Sequence, residues 1–317
     1  AWSGCAKERG NMPRGLPTRQ LGQHGPDVTV ICLGAWPLGG GYGPVEEKQA
    51  INTIHAALDA GANFIDTAEG YKASESVLGK ALAGRRDQVI LATKLSGDHS
   101  RQHIRTAIEN SLRQLRTDYI DLYQIHHPKP RFPIGETMGE LVKLQEEGKV
   151  RHLGLSNFDV QQTREAVTHG PITSSQPHYS MLYRRIEGDL LPYCLEQGIG
   201  VMVYAPLTRG LLTGKFKADH VFEPGDDRAT NPGLTREVRE AAVEICRRLT
   251  PWARDRGYTM AQLAIAWTLA HPAVTSAICG ARTPEQAVEN CEAGRWRLSE
   301  AEMAEIEEQI AGLSPGI

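Results

Sequence analysis

From Val28 onward, short runs rich in β-branched residues alternate with longer stretches in which Ile, Leu and Ala recur three or four residues apart. The first pattern predicts strands and the second predicts helices with one buried face. Eight strands are predicted: VTVICLGAW (28–36), NFIDTAE (63–69), VILATK (89–94), YIDLYQIHH (119–127), VRHLGLSNF (150–158), ITSSQPHY (172–179), VMVYAPL (201–207) and SAICGAR (276–282). Between them lie helical patterns such as EEKQAINTIHAALDAG, HIRTAIENSLRQLR, GELVKLQEEGK and GDLLPYCLEQG. Several end in Gly, the residue best suited to a left-handed C-cap. Such alternation implies parallel strands joined by crossover helices, and eight units closing on themselves form an α/β fold, the (β/α)8 TIM barrel. The competing arrangement, an open doubly wound sheet, usually carries fewer strands.

The spacing breaks between the seventh and eighth predicted strands. There GLLTGKFKADHVFEPGDDRATNPG precedes two helical stretches around EVREAAVEICRRLTPWARDR and MAQLAIAWTLAHP. Gly, Pro and Asp make the first part a loop, and loops of that length inside a compact domain are usually functional or disordered. In a barrel it belongs on the rim at the C-terminal ends of the strands. A last helix, LSEAEMAEIEEQIAG, opens at Ser299 as N-cap and is predicted to cover the last strand or the barrel floor. With no linker or low-complexity tract, residues 12–317 read as a single barrel domain, and residues 1–11 as a disordered leader ahead of Met12.

Composition narrows the class. Of 317 residues, 40% are apolar and 23% charged, with 35 Lys+Arg against 38 Asp+Glu, enough to fill a core and too balanced for a basic nucleic-acid binder. The chain has no long uninterrupted apolar stretch, and AWSGCAKERGN lacks an apolar signal core, so no membrane partner is expected. The cysteines, Cys5, Cys32, Cys194, Cys246, Cys279 and Cys291, form no Cys-x-x-Cys pair, which points to a reducing, cytoplasmic setting without a metal cluster.

In a barrel, polar residues at the C-terminal strand ends converge on one mouth. The second predicted strand delivers Asp66, with Tyr71 in the turn after it; the third ends in Lys94; the fourth ends in His126 and His127. Each alone could be a helix cap, a half-buried aromatic or a rim charge, but the four types together suit proton donation to a carbonyl. A free phenol titrates near ~10, too high to protonate a forming alkoxide readily. A lysine ammonium beside Tyr71 is expected to lower that value, with the Asp66 carboxylate holding the ammonium charged. His126 could polarise the substrate oxygen. Strand alternation turns His127 the opposite way.

A second set suits a dinucleotide. The cluster Gly39, Gly40, Gly41 and Gly43 has Pro44 where a third Rossmann glycine would fall, so that fingerprint fails. Barrels bind phosphate at the loops after their last two strands. After the seventh comes Arg209-Gly210-Leu211-Leu212-Thr213-Gly214-Lys215, and after the eighth Gly280-Ala281-Arg282-Thr283-Pro284-Glu285-Gln286. In the latter, Thr283 can be N-cap, Pro284 the first helical residue and Gln286 its capping-box partner, beside Arg282.

The stretches DTAEGY, ATK, DLYQIHH, GLSNF, VYAPLTRGLLTGK and CGARTPEQAVEN resemble, in order and spacing, the aldo-keto reductases, NADPH-using barrel oxidoreductases, from about Arg19 to the last helix. The resemblance implies that Asp66, Tyr71, Lys94 and His126 are the catalytic four, with Tyr71 the proton donor. It implies that Ser156, Asn157 and Gln176 hold the nicotinamide carboxamide and that Tyr204 stacks on its ring. Leu207, Arg209, Leu211 and Lys215 then form the pyrophosphate loop, with Pro206 and Gly210 also among the cofactor-binding residues. Arg282, Gln286 and Asn290 grip the adenosine 2′-phosphate and adenine, favouring NADPH over NADH, and Gly280 and Asp66 are also among the cofactor-binding residues. Gly34, Ala35 and Trp36 line the cofactor pocket, and Trp36, Tyr71, His126 and His127 the substrate pocket. No metal is implied.

Many relatives follow the catalytic His with Trp, whereas here His127 and Pro128 follow, altering one wall of the substrate pocket. The chain ends soon after its last helix, so the long C-terminal substrate loop of some branches is expected to be absent. Trp36, His127 and the loop around Asp226, Asp227 and Arg228 suit a hydroxylated, sugar-like or polycyclic carbonyl compound, the expected small-molecule partner. Two other readings compete. One is an NADPH-binding regulatory subunit with little turnover, although the N-terminal extension of such subunits is not seen. The other is a metal-dependent hydrolase using His126 and His127, which the absence of His-x-His or His-Glu-x-x-His spacing disfavours. The sequence leaves the oligomeric state undetermined.

Overall fold

The computed structural model describes residues 15–314, so the leader predicted over residues 1–11 lies outside the described residues. Two short strands, Thr18–Gln20 (β1) and Asp27–Thr29 (β2), pair antiparallel as a hairpin. The barrel strands are Ile31–Gly34 (β3), Phe64–Asp66 (β4), Ile90–Leu95 (β5), Ile120–Ile125 (β6), Val150–Ser156 (β7), Ser174–Gln176 (β8), Gly200–Tyr204 (β9) and Val274–Gly280 (β10). Each runs parallel to its neighbours, and β10 closes on β3. This is the closed (β/α)8 barrel expected from the alternation.

The run predicted over residues 28–36 is divided. Asp27–Thr29 belongs to the hairpin and only Ile31–Gly34 enters the barrel. The chain turns at Thr29, whose hydroxyl donates to the Ile31 carbonyl at 2.7 Å and whose amide donates to Asn63 Oδ1 at 2.8 Å. Pro37, which has no amide proton for a ladder, opens a 3-10 turn beyond the strand. The partner strand β1 (TRQ) is exposed at all three positions and so carries no apolar alternation to betray it. Between the hairpin strands, Gly22 has φ +69° and lies where a Cβ would stand 2.6 Å from the Thr173 carbonyl, so the turn can press against the barrel end only with glycine there.

Period-two alternation sorts the side chains of each barrel strand. Cys32, Phe64, Ala92, Leu122, Met202 and Ile278 point inward, and with Leu21 and Val28 of the hairpin they form a separate apolar cluster inside the barrel. The outward set, including Ile31, Leu33, Ile65, Leu91, Tyr123, Leu153, Leu155, Val201 and Val203, packs under the helices. These helices are Glu47–Asp59 (α1), Ser74–Ala81 (α2), Arg101–Leu115 (α3), Ile134–Glu146 (α4), Val160–Val167 (α5), Leu190–Gln197 (α6), Arg236–Asp255 (α7), Met260–Ala270 (α8), Pro284–Ala293 (α9) and Glu300–Ile310 (α10).

Helix α10 begins with a capping box between Ser299 and Glu302. It packs on α7, with Ile306 and Ile310 buried, and Glu307 accepts the indole N–H of Trp267 on α8 at 2.8 Å. A helix with one apolar stripe needs any apolar surface, and here the helix layer supplies it. The long loop before α7 docks on the turn after β3. Asp227 N donates to the Gly41 carbonyl at 3.1 Å, and the Arg228 guanidinium, paired to Asp226 at 2.6 Å, lies 4.5 Å from the ring centroids of both Tyr42 and Phe222. Among the described residues, no helix is long and apolar enough to cross a membrane.

Candidate active site

Continuing inward alternation two residues beyond the apolar cluster reaches Gly34, Asp66, Lys94, Gln124, Ser156, Gln176 and Tyr204. The register sets Gly34 opposite Asp66, Lys94 opposite Gln124, and Ser156 opposite Gln176. A barrel interior that is oily at one end therefore becomes a polar layer at the other. Lys94, fully buried, donates from Nζ to Asp66 Oδ2 at 2.6 Å, to the Thr67 carbonyl at 2.8 Å and to the Tyr71 hydroxyl at 3.3 Å. Asp66 Oδ1 accepts from Gln176 Nε2 at 2.9 Å and Gln124 Nε2 at 3.3 Å, and Gln176 Nε2 also reaches Gln124 Oε1 at 3.0 Å. Every donor and acceptor of the buried ion pair is thus partnered, which a buried charge pair needs in order to persist.

Tyr71 comes from the turn after β4. Its ring meets the Trp36 ring edge-to-face at 4.8 Å and the His126 ring edge-to-face at 5.5 Å. The four residues expected to act together therefore do meet at one mouth. The expected direction of the Tyr71 shift is not met. Burial pushes the phenol above its ordinary value of 10, and the pull of the Lys94 ammonium in the other direction is smaller. Burial alone would lower Lys94, but the Asp66 carboxylate and Tyr71 outweigh it, so the amine is held as an ammonium with a raised pKa.

His126 is kept neutral. Burial first, then the cations of Lys94 and Lys129 and the neighbouring His127, lower its pKa to about 2. His127 does not turn away, as strand alternation predicted. Strand β6 ends at Ile125, so the period-two rule no longer applies, and the two imidazoles stack with centroids 4.7 Å apart. Both line the cavity.

That cavity, about 750 Å³, runs from Tyr71 and His126 to Arg282 and Asn290. Of the expected cofactor residues, Gly34, Trp36, Asp66, Ser156, Asn157, Gln176, Tyr204, Pro206, Leu207, Arg209, Gly210, Lys215, Gly280, Arg282, Gln286 and Asn290 line it. Ala35 and Leu211 do not; both are buried in the apolar layer under the helices. Ala35, the first residue past β3, is fully buried and its methyl packs into that layer. Leu211 takes the apolar side of a turn packed against α7.

Near Tyr71 the walls are tied together. Tyr204 donates to Asn157 Oδ1 at 2.8 Å, Asn157 Nδ2 donates to the His126 carbonyl at 2.9 Å, and Ser156 Oγ donates to the Gln176 carbonyl at 3.0 Å. Asn157 sits at φ 60°, a left-handed conformation that Asn tolerates better than most residues. One face of Tyr204 stacks on His178 at 5.0 Å. The turn after β9 holds Ala205, Thr208 and Arg209 at positive φ, local strain of the kind that gathers at binding sites. Arg209 pairs with Asp227 at 2.9 Å, so this turn and the long loop meet across the cavity.

At the far end, Thr283 caps α9 as expected, but the capping box is incomplete. Gln286 Oε1 accepts from the Arg282 amide at 2.8 Å rather than from the cap residue's own amide. Asn290 Nδ2 donates to the Gly280 carbonyl at 3.2 Å, and Arg282 Nη2 donates to the Pro44 carbonyl at 3.0 Å. Two polar residues escaped the sequence reading. Gln124 could have been found by counting two residues back from His126 along an alternating strand. Ser96, whose hydroxyl lies 2.8 Å from His126 Nδ1, had no signal, because it stands one residue beyond its strand. Among the described residues, no group of three or more His, Cys, Asp or Glu could hold a metal ion.

Comparison with known proteins agrees with this architecture. Residues 30–311 match the Aldo/keto reductase family. The chain is 38% identical to the aldo-keto reductase YhdN of Bacillus subtilis, covering 89% of this chain and 90% of that protein. It is 36% identical to an NADH-specific methylglyoxal reductase of Escherichia coli, covering 90% and 97% respectively. The structure of a glycerol dehydrogenase from Gluconobacter oxydans superposes with a TM-score of 0.84 at 34% identity, over 94% of this chain and 96% of that one. The chain belongs to the aldo/keto reductase family.

Proposed function

We propose that this protein reversibly reduces an aldehyde or ketone to an alcohol, with NADPH as the hydride source and Tyr71 as the proton donor. The observation that carries this reading is the Lys94 amine, held between Asp66 Oδ2 at 2.6 Å and the Tyr71 hydroxyl at 3.3 Å. A proton donor must hold its proton in the ground state, and burial keeps the Tyr71 phenol protonated at neutral pH. Once the proton leaves, the adjacent ammonium stabilises the phenolate, so the favourable electrostatics grow as the reaction proceeds. His126, uncharged, can donate one hydrogen bond to the substrate oxygen without competing to give up a proton.

The cavity fits a dinucleotide. Tyr204 offers one aromatic face to a flat ring, the strained turn at Arg209 and Gly210 offers backbone and a cation to the pyrophosphate, and Arg282 stands beside the start of α9 for a terminal phosphate. A bound nicotinamide would supply the hydride. Arg282 favours the 2′-phosphate of NADPH, although one relative is NADH-specific. His127, Trp36 and Ser96 make the substrate end polar as well as aromatic, which suits a hydroxylated carbonyl compound; the relative named for glycerol is in keeping with this. The test is Tyr71→Phe. Loss of a positioned general acid should cut NADPH-dependent turnover by about 10²–10⁴-fold while cofactor binding is kept. Undiminished turnover on a panel of aldehydes would refute the role.

A further inference from the structure

The turn after β5 holds the residue that orients His126, a role that rests on the reductase reading of that site. Ser96 is the first residue past β5, and the His126 amide donates to the carbonyl of the preceding Leu95 at 3.1 Å, which keeps the two strand ends in register. The Ser96 hydroxyl lies 2.8 Å from His126 Nδ1 and, among the described residues, makes no other hydrogen bond as donor or acceptor. The turn that presents it is clasped by Glu69. Its Oε1 accepts the backbone amides of Ser96 and of Gly97, the latter at 2.9 Å, and lies 3.3 Å from His103 Nε2. A Cβ on Gly97 would stand 2.1 Å from the His103 ring, so the turn is packed as well as bonded.

We propose that Ser96, held in place by Glu69, is a positioning residue for His126: its hydroxyl donates to Nδ1 and so keeps the single ring proton on Nε2, the nitrogen left for the substrate oxygen. A neutral imidazole has one bare and one protonated nitrogen, and because the Ser96 hydroxyl has no other acceptor among the described residues, donating to a bare Nδ1 is the arrangement that leaves its proton partnered. Burial first, and then the charges of Lys94 and Lys129, disfavour a second ring proton, so the choice between the two nitrogens is the only one open to this ring. Without Ser96, Nδ1 could take the proton and Nε2 would meet a carbonyl oxygen with a lone pair.

The test reads the tautomer directly. Nitrogen NMR of histidine-labelled, cofactor-free protein, with the signal assigned by its loss in His126→Gln, should show a bare Nδ1 and a protonated Nε2. Ser96→Ala should give a mixture of tautomers and a roughly tenfold lower kcat, the scale of one lost neutral hydrogen bond, with the KM for cofactor unchanged. Ser96→Thr, which keeps the hydroxyl beside the side-chain-free Gly70, should retain both properties. A proton on Nδ1 in the unaltered protein, or a tautomer unchanged in Ser96→Ala, overturns the proposal. Because the spectrum needs neither cofactor nor carbonyl substrate, a failure here is distinguishable from failure of the Tyr71→Phe test.

Discussion

The two ends of the barrel interior follow one rule with opposite contents. At the N-terminal end the inward positions are Cys32, Phe64, Ala92, Leu122 and Met202, plugged by Leu21 and Val28 of the hairpin. One layer further along the same strands they are Asp66, Lys94, Gln124 and Gln176, joined by hydrogen bonds. Alternation decides that a side chain enters the barrel, and height along the strand decides whether it meets oil or a cavity. The lower layer should therefore carry stability alone, and the upper layer both stability and chemistry.

Several substitutions would break or sharpen that contrast. Lys94→Met removes one partner of a fully buried ion pair and strands the Asp66 carboxylate, so it should cost about 3–5 kcal/mol of stability and abolish turnover. Denaturant titration beside an assay at the nicotinamide absorbance reads both losses. Phe64→Ala, in the lower layer, should cost a similar ~3–5 kcal/mol by leaving a cavity, yet turnover per folded molecule should be kept. If Phe64→Ala lost activity in full while remaining folded, the two layers would not be separable.

Smaller effects lie away from the centre. Arg282→Ala should weaken NADPH binding by about 1.5–3 kcal/mol, roughly tenfold to a hundredfold in Kd, with little change for NADH. Equal losses for both cofactors, measured by fluorescence titration, would place the 2′-phosphate elsewhere. The smallest effect is in acid. Burial holds His178 at about 3, and burial, Lys94, His127 and Lys129 together hold His126 at about 2, both below the ordinary 6.5. The unfolded chain takes up protons below about 6.5 while the folded rings stay neutral, so this stability is complete above that pH and declines as pH falls toward 3. His178→Phe, which keeps a flat ring between Tyr183 and Tyr204, should flatten the decline in melting temperature between about pH 6 and 4. An unchanged slope would mean that His178 is already solvated.

Much of this molecule could be read before folding. The eight barrel strands, the long rim loop and the convergence of Asp66, Tyr71, Lys94 and His126 follow from periodicity and from where each strand stops. Less legible was which way a side chain turns once its strand has ended. His127 was expected to turn away and instead stacks on His126, because alternation ceased at Ile125. Ser96 was invisible for the same reason, and β1 because its three residues are polar and exposed. The Tyr71 shift ran against expectation because a sequence shows the neighbouring charge but not the depth of burial that outweighs it.

By itself the sequence determined which residues alternate, the order of the barrel strands and their helices and which chemical types reach the rim, since these depend on local periodicity and capping. Only the closed barrel decided that Lys94 touches Asp66 and Tyr71 together, that a hairpin seals the oily end, and that the loop at Asp226 and Arg228 lies against Tyr42. Those contacts join segments distant along the chain, and their strength comes from shared exclusion of water, which no local pattern encodes.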